Sequence, residues 1–228
     1  EKIAKYDKFW LFLIMFVLVI FWTLLRNVIG EDNLTGTGNN DFFTAPVIQN
    51  NAGNVVNSLE SIDSIDGGGG IDTLTASISG DDAAPVLTSV EVVNLKFASS
   101  NQVDLANSTG VTTVNVANST STAEVYGLGA AANLSVKNQN QDVFFGDSTA
   151  TTLGLTLDAA GNTTTPTQIH VDLGDSAASK ATTLNVTAKN SNVEVDDSSA
   201  AEIIRTLTIA ATGENILVMT EAAKATTV

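Results

Sequence analysis

Beyond Gly80 apolar and polar residues alternate in short runs, such as Val90-Glu91-Val92-Val93-Asn94-Leu95-Lys96-Phe97, Val111-Thr112-Thr113-Val114-Asn115-Val116 and Ala132-Asn133-Leu134-Ser135-Val136. A period of two predicts strands with one buried face, because successive side chains leave a pleated backbone on opposite sides. The series continues through Thr152-Leu153-Gly154-Leu155-Thr156-Leu157, Thr183-Leu184-Asn185-Val186 and Arg205-Thr206-Leu207-Thr208-Ile209. Its markers Leu95, Val114, Leu134 and Leu153 are 19, 20 and 19 residues apart, and the steps on to Leu184 and Leu207 are 31 and 23. A second series falls between them: Val103-Asp104-Leu105, Glu124-Val125-Tyr126, Val143-Phe144-Phe145, Ile169-His170-Val171-Asp172-Leu173, Val193-Glu194-Val195 and Ile216-Leu217-Val218. Two strands per roughly twenty residues predict an all-β parallel solenoid, in which each coil stacks on the last and buries a column of Leu, Val and Ile. A sandwich of hairpins is the rival, but hairpins favour Asn-Gly or Asp-Gly at two-residue turns. The connectors here are Asn-Ser-Thr-Gly, Gly-Asp-Ser-Thr and Asp-Asp-Ser-Ser, which suit coil corners. The extra residues around Gly161-Asn162-Thr163-Thr164-Thr165-Pro166 predict a loop that bulges from the stack.

The first thirty residues follow another pattern. Phe9 to Leu25 is a run of seventeen residues without a charge, preceded by Lys2, Lys5 and Lys8 and followed by Arg26. Such a run predicts an apolar α-helix over residues 1–29, about 30 Å long if it extends to Ile29 with Arg26 snorkelling, which matches the hydrocarbon core of a bilayer. The lysines place its start in the cytoplasm and the rest of the chain outside. A secretory signal peptide shares the basic start and apolar run, yet no small-x-small cleavage pattern follows Leu25. An assembly core, or a segment foreign to the domain, are the other readings.

Charge sharpens the division. The net charge is −15, but residues 1 to 30 hold four basic and two acidic groups, leaving six basic against 23 acidic, or −17, beyond. An acidic surface repels phosphate backbones, which argues against nucleic acid as a partner. Its self-repulsion would be relieved by bound divalent cations. Cysteine is absent, so disulfides, thiolate metal sites and thiol catalysis are excluded.

Oxygen ligands for a cation gather in one place. Gly67-Gly68-Gly69-Gly70-Ile71-Asp72-Thr73-Leu74-Thr75 fills every fixed position of the nonapeptide GGxGxDxUx, the turn-and-strand unit of calcium-binding β-rolls. Glycines bring backbone carbonyls together, Asp72 adds a carboxylate, and such hard oxygens are the ligands Ca2+ prefers. Leu74 should point inward from the strand that follows. Upstream, Gly30-Glu31-Asp32-Asn33-Leu34-Thr35 matches the last six positions of the unit, and Gly36-Thr37-Gly38-Asn39-Asn40-Asp41-Phe42-Phe43-Thr44 follows in the same register, with Thr37 and Asn39 in place of glycines. The insertion between Asp41 and Gly67 ends Asp63-Ser64-Ile65-Asp66, and Asp63 and Asp66 are candidates to complete the ligand set. The candidate metal residues are thus Asp32, Gly36, Asp41, Asp63, Asp66, Gly67, Gly68, Gly70 and Asp72. The plainer alternative is that glycine, asparagine and aspartate here only make tight turns.

The stretch from about Gly30 to Val218 resembles the RTX-type calcium-binding surface-layer proteins and large repeat adhesins of Gram-negative bacteria. Two phrases carry the likeness: Ser64-Ile65-Asp66-Gly67-Gly68-Gly69-Gly70-Ile71-Asp72-Thr73-Leu74 and Val86-Leu87-Thr88-Ser89-Val90-Glu91-Val92-Val93-Asn94-Leu95. The resemblance implies a right-handed parallel β-solenoid (β-roll or β-helix), calcium bound at coil corners, and polymerisation at the cell surface. By position it assigns the motif aspartate to Asp72, Asp41 and Asp32, and the carbonyl-bearing turn to Gly67, Gly68 and Gly70.

Three regions are therefore expected: the apolar helix at 1–29, glycine- and aspartate-rich calcium coils at 30–80, and a repeat of about twenty residues at 81–228. The expected function is a non-enzymatic structural subunit of a calcium-dependent extracellular layer, sheath or filament. Its partners would be other copies of itself, with a membrane or cell-surface polysaccharide as further contacts. The stalk of a membrane-anchored adhesin is the alternative. A polysaccharide-active β-helix enzyme is a lesser one, because past residue 30 the chain holds one arginine, Arg205, and one tyrosine, Tyr126, few of the residues that sugar platforms need. The pairs Asp81/Asp82, Asp172/Asp175 and Asp196/Asp197 read as turn residues, and His170 as an outward surface residue without a partnering serine.

Overall fold

The computed structural model describes residues 30–162, 168–174, 180–196, 204–220 and 226–227. The helix expected over residues 1–29 lies outside them, and no helix among the described residues is long and apolar enough to cross a membrane. All regular structure described is β, and nearly all of the pairing is parallel, so the chain winds into a solenoid.

Three faces build the coils. The longest sheet stacks Phe42–Ala45, Thr73–Ile78, Val92–Phe97, Thr113–Ala117, Asn133–Gln139, Thr152–Ala160, Thr183–Lys189, Thr206–Thr212 and Thr226–Thr227 in chain order, all parallel. This sheet runs unbroken across residue 80. A shorter sheet stacks Asn101–Asp104, Ala123–Tyr126, Val143–Phe145, Ile169–Asp172, Asn192–Asp196 and Ile216–Thr220. At the N-terminal end a corner sheet joins Asn33–Thr35, Ser64–Asp66 and Val86–Thr88.

Alternation sorts the side chains as the pattern predicts. Leu74, Val93, Val114, Leu134, Leu155 and Val186 pair in register as one inward column of the long sheet, and all six are buried. Val103, Val125 and Phe145 make a column of the short sheet, also buried. The expected register needs one correction. Val114 pairs with Val93 rather than Leu95, and Leu134 with Leu155 rather than Leu153. A slip of two residues keeps every side chain on its face, so a period-two pattern cannot tell these alternatives apart.

The insertion after Asp41 folds as the one antiparallel element described, a hairpin of Val47–Gln49 and Val55–Asn57. Asn50 closes its loop, its Oδ1 accepting from the amides of Ala52 at 3.0 Å and Asn54 at 2.9 Å. Asn57, buried, clips the hairpin to the next coil: its Nδ2 donates to the Asp81 carbonyl and its Oδ1 accepts from the Ser79 amide. Asn57→Ala would leave both backbone groups without this partner, and a loss of about 1–3 kcal/mol in denaturant unfolding is expected.

Candidate metal centre

The two glycine-rich turns stack directly, and pairing carries one onto the other. Phe42 to Ala45 lies in register with Thr73 to Ala76, so Asp41 sits over Asp72 just before the paired strands. Glu91 takes the same place before Val92, which pairs with Thr73. Carboxylates link this column through backbone amides. The Asp41 amide donates to Asp72 Oδ1 at 2.6 Å, and the Asp72 amide donates to Glu91 Oε2 at 2.8 Å. Leu74, two residues beyond Asp72, is fully buried, as the motif requires.

Glycine is required where the backbones meet. A Cβ on Gly36 would lie 2.2 Å from the Gly67 carbonyl oxygen and 2.9 Å from Asp41 Oδ2. One coil further on the arrangement repeats, since a Cβ on Gly67 would lie 1.9 Å from the Ser89 carbonyl oxygen and 2.5 Å from Asp72 Oδ2. Gly68 and Gly70 hold φ of +88° and +116° and press on Thr37 and Asn39 of the turn before.

The two aspartates differ in one respect that bears on ligand binding. Asp41 Oδ2 accepts from the Thr37 amide at 2.6 Å and the Thr37 hydroxyl at 2.9 Å. The residue equivalent to Thr37 in the next turn is Gly68, which has no hydroxyl and whose amide donates instead to Asp66 Oδ1 at 3.0 Å. Asp72 is 0% exposed, yet its Oδ2 has no hydrogen-bond partner. A buried carboxylate oxygen left this way is costly unless a cation or donor meets it. The neighbouring Ser89 carbonyl, also an acceptor, supplies no donor. A neighbouring backbone carbonyl, a glycine cradle and an orphaned carboxylate oxygen fit a hard divalent cation.

The remaining expected ligands are dispersed. Asp32 and Asp63 form a separate pair at the other end of the corner strands, about 13 Å along the chain from Gly67. There the Asp63 carboxylate is already used, Oδ1 accepting from the Asp32 amide at 3.0 Å and Oδ2 from the Glu60 amide at 2.7 Å. Asp66 is exposed on the shoulder of the turn. Among the described residues no three His, Cys, Asp or Glu side chains form a ready-made cluster. An ion at Asp72 would therefore draw most of its ligands from carbonyls and water.

Sequence reasoning missed Glu91 and Ser89. The signal for Glu91 was its place before the alternating run Val92-Val93-Asn94-Leu95, matching Asp72 before Thr73-Leu74-Thr75. Ser89 follows Thr88, which pairs with Asp66, and so stands where the earlier coils carry Gly36 and Gly67; its φ is +50°.

Elsewhere, His170 is half-buried, a change from the plain surface residue expected. Its Nε2 lies 3.2 Å from Asp196 Oδ2, and its ring meets Phe144 edge-on with centroids 5.8 Å apart. Asp172 and Asp196 end strands instead of occupying turns. Compared with protein-family models, curated proteins and solved structures, the chain matches none.

Proposed function

We propose that the protein is a non-enzymatic structural subunit of an extracellular assembly, a surface layer, sheath or filament, whose first coils are fixed by calcium. The observation that carries this reading is the buried, unpartnered Oδ2 of Asp72 between the glycine turn and the coil that follows it at Ser89. Asp72 and the Ser89 carbonyl would hold the ion, with Asp66 at the rim; the Gly67 carbonyl stands in the matching place one coil earlier, beside Gly36 and Asp41. When bound, calcium supplies positive charge beside Asp72 Oδ2 and the Ser89 carbonyl, where no donor meets the carboxylate oxygen. Binding would then be linked to folding, since the unfolded chain does not assemble these oxygens. The winding is proposed to be right-handed, as parallel crossovers are in almost all known sheets. The acidic body outside the cell would meet other copies of itself and, through residues 1–29, a membrane.

The test is a calcium titration of the full chain after EGTA treatment, read by thermal unfolding and by sedimentation. Calcium at about a hundred times its dissociation constant should add about 2.7 kcal/mol and should increase particle mass. Unchanged melting and unchanged mass on going from EGTA to saturating calcium would sink the proposal.

A further inference from the structure

The outward faces of the two sheets carry opposite charge. On the long sheet, Thr75, Asn94, Asn115, Ser135, Thr156 and Thr187 form one outward row in register. Amide and hydroxyl contacts join its start, Asn115 Nδ2 donating to Asn94 Oδ1 at 2.8 Å and Asn94 Nδ2 to Thr75 Oγ1 at 3.3 Å. The adjoining row pairs Ser77 with Lys96, and further along runs Ala117, Lys137, Asp158, Lys189. Lys96, Lys137 and Lys189 are exposed and stand on alternate strands, about 9.5 Å apart at the usual strand spacing. Three of the six basic residues past residue 30 thus share one row. Its single acid, Asp158, pairs with Lys137 at 3.3 Å. A shallow groove of about 480 Å³ lies between Lys96 and Lys137 over Asn94 and Asn115.

The short sheet is the reverse. Glu124, Phe144, Asp172 and Asp196 lie in one row, and His170 and Glu194 in the next; Asp172 is buried and Asp196 meets His170, so Glu124 and Glu194 are the acids this face offers most openly. Its described strands hold no lysine or arginine. Glu124, Glu194 and Asp196 are partly exposed.

We infer that the lysine row of one copy docks sideways on the acidic short-sheet face of a second copy. The inference rests on the assembly reading above and names its lateral interface. Both faces belong to one solenoid and share one axial rise per coil, so the two faces can lie along each other coil against coil. The faces differ, so the contact is heterologous and each copy keeps a free face of each kind with which to add the next. The short sheet's six strands of three to five residues span about 24 Å by 10–17 Å, about 300 Å² per partner, the size of a weak contact that gains strength by repeating from copy to copy. Complementary potentials would set the register and speed the encounter.

The test compares wild type, the triple variant K96E/K137E/K189E and the double variant E124K/E194K as full chains in calcium, by sedimentation velocity, with circular dichroism as the folding control. Each variant should need at least tenfold more protein to associate, its thermal response to calcium should remain, and mixing the two should restore association. Should one variant fail to fold, the other makes the same reading. Wild-type-like association of a folded variant, or no restoration on mixing, would overturn the interface. Association lost in EGTA but retained in both variants overturns the interface alone. Association retained in EGTA but lost in the variants overturns the calcium reading and leaves the interface standing.

Discussion

Asp72→Asn should make the calcium-free protein more stable and, at the same time, remove its response to calcium. The substitution keeps the oxygen that accepts from the Asp41 amide and replaces the orphaned Oδ2 with an NH2 group. That group would lie beside the Gly67 Cα with the Ser89 carbonyl as the neighbouring acceptor, to which it could donate. An unsatisfied buried acceptor becomes a hydrogen bond and a buried charge disappears, so the gain without calcium should be about 1–3 kcal/mol. The calcium increment, about 2.7 kcal/mol at a hundredfold excess over the dissociation constant, should vanish with the charged ligand. A structural aspartate that only orders a turn would give neither the gain nor the loss of response. Thermal melts of both proteins in EGTA and in calcium decide it, and a variant that still gains stability from calcium would remove Asp72 from the site.

The four consecutive glycines provide the second large effect. Gly67→Ala places a methyl group 1.9 Å from a backbone carbonyl oxygen, and Gly68→Ala places one 2.1 Å from the Thr37 carbonyl at a φ of +88°. Neither obstacle is the end of a flexible side chain, so the stacked turns must separate. Each variant should lose about 3 kcal/mol or more, the upper end of overpacking costs. Gly69→Ala differs: its Cβ would be 3.6 Å from the nearest atom, and its φ is not in the left-handed region. It should be neutral or gain about 0.4–1 kcal/mol from a less flexible unfolded chain. Denaturant midpoints of the three variants check this order, and equal losses at all three positions would contradict the stacking.

That contrast also marks how much was legible in the sequence. The nonapeptide leaves its third position free, and Gly69 is the glycine that the structure does not need. The motif records the clashes of a stacked turn, so its fixed positions could be read without coordinates. The strands were legible for a similar reason, because burial of one face enforces alternation residue by residue. Register was not, since Leu153 and Leu155 are equally inward. The ligand set was legible only in part. Asp32 and Asp41 look alike in sequence, but Asp32 precedes a corner strand and Asp41 a long-sheet strand, so they fall in different columns. Whether an aspartate is free to bind depends on what stands four residues before it in its own turn. Thr37 satisfies Asp41, whereas Gly68 leaves Asp72 open. Side-chain pattern alone does not reveal such a difference.

The tolerance of the coil to a two-residue slip has a consequence for growth and change. Steps along the inward column are 19 residues from Leu74 to Val93, 21 to Val114 and 31 from Leu155 to Val186, yet every strand rises by the same increment along the axis. Extra residues leave at corners and do not lengthen the stack. The molecule therefore acts as a ruler marked in coils: insertions and deletions at corners alter its outline, while its reach changes only when a whole coil is gained or lost.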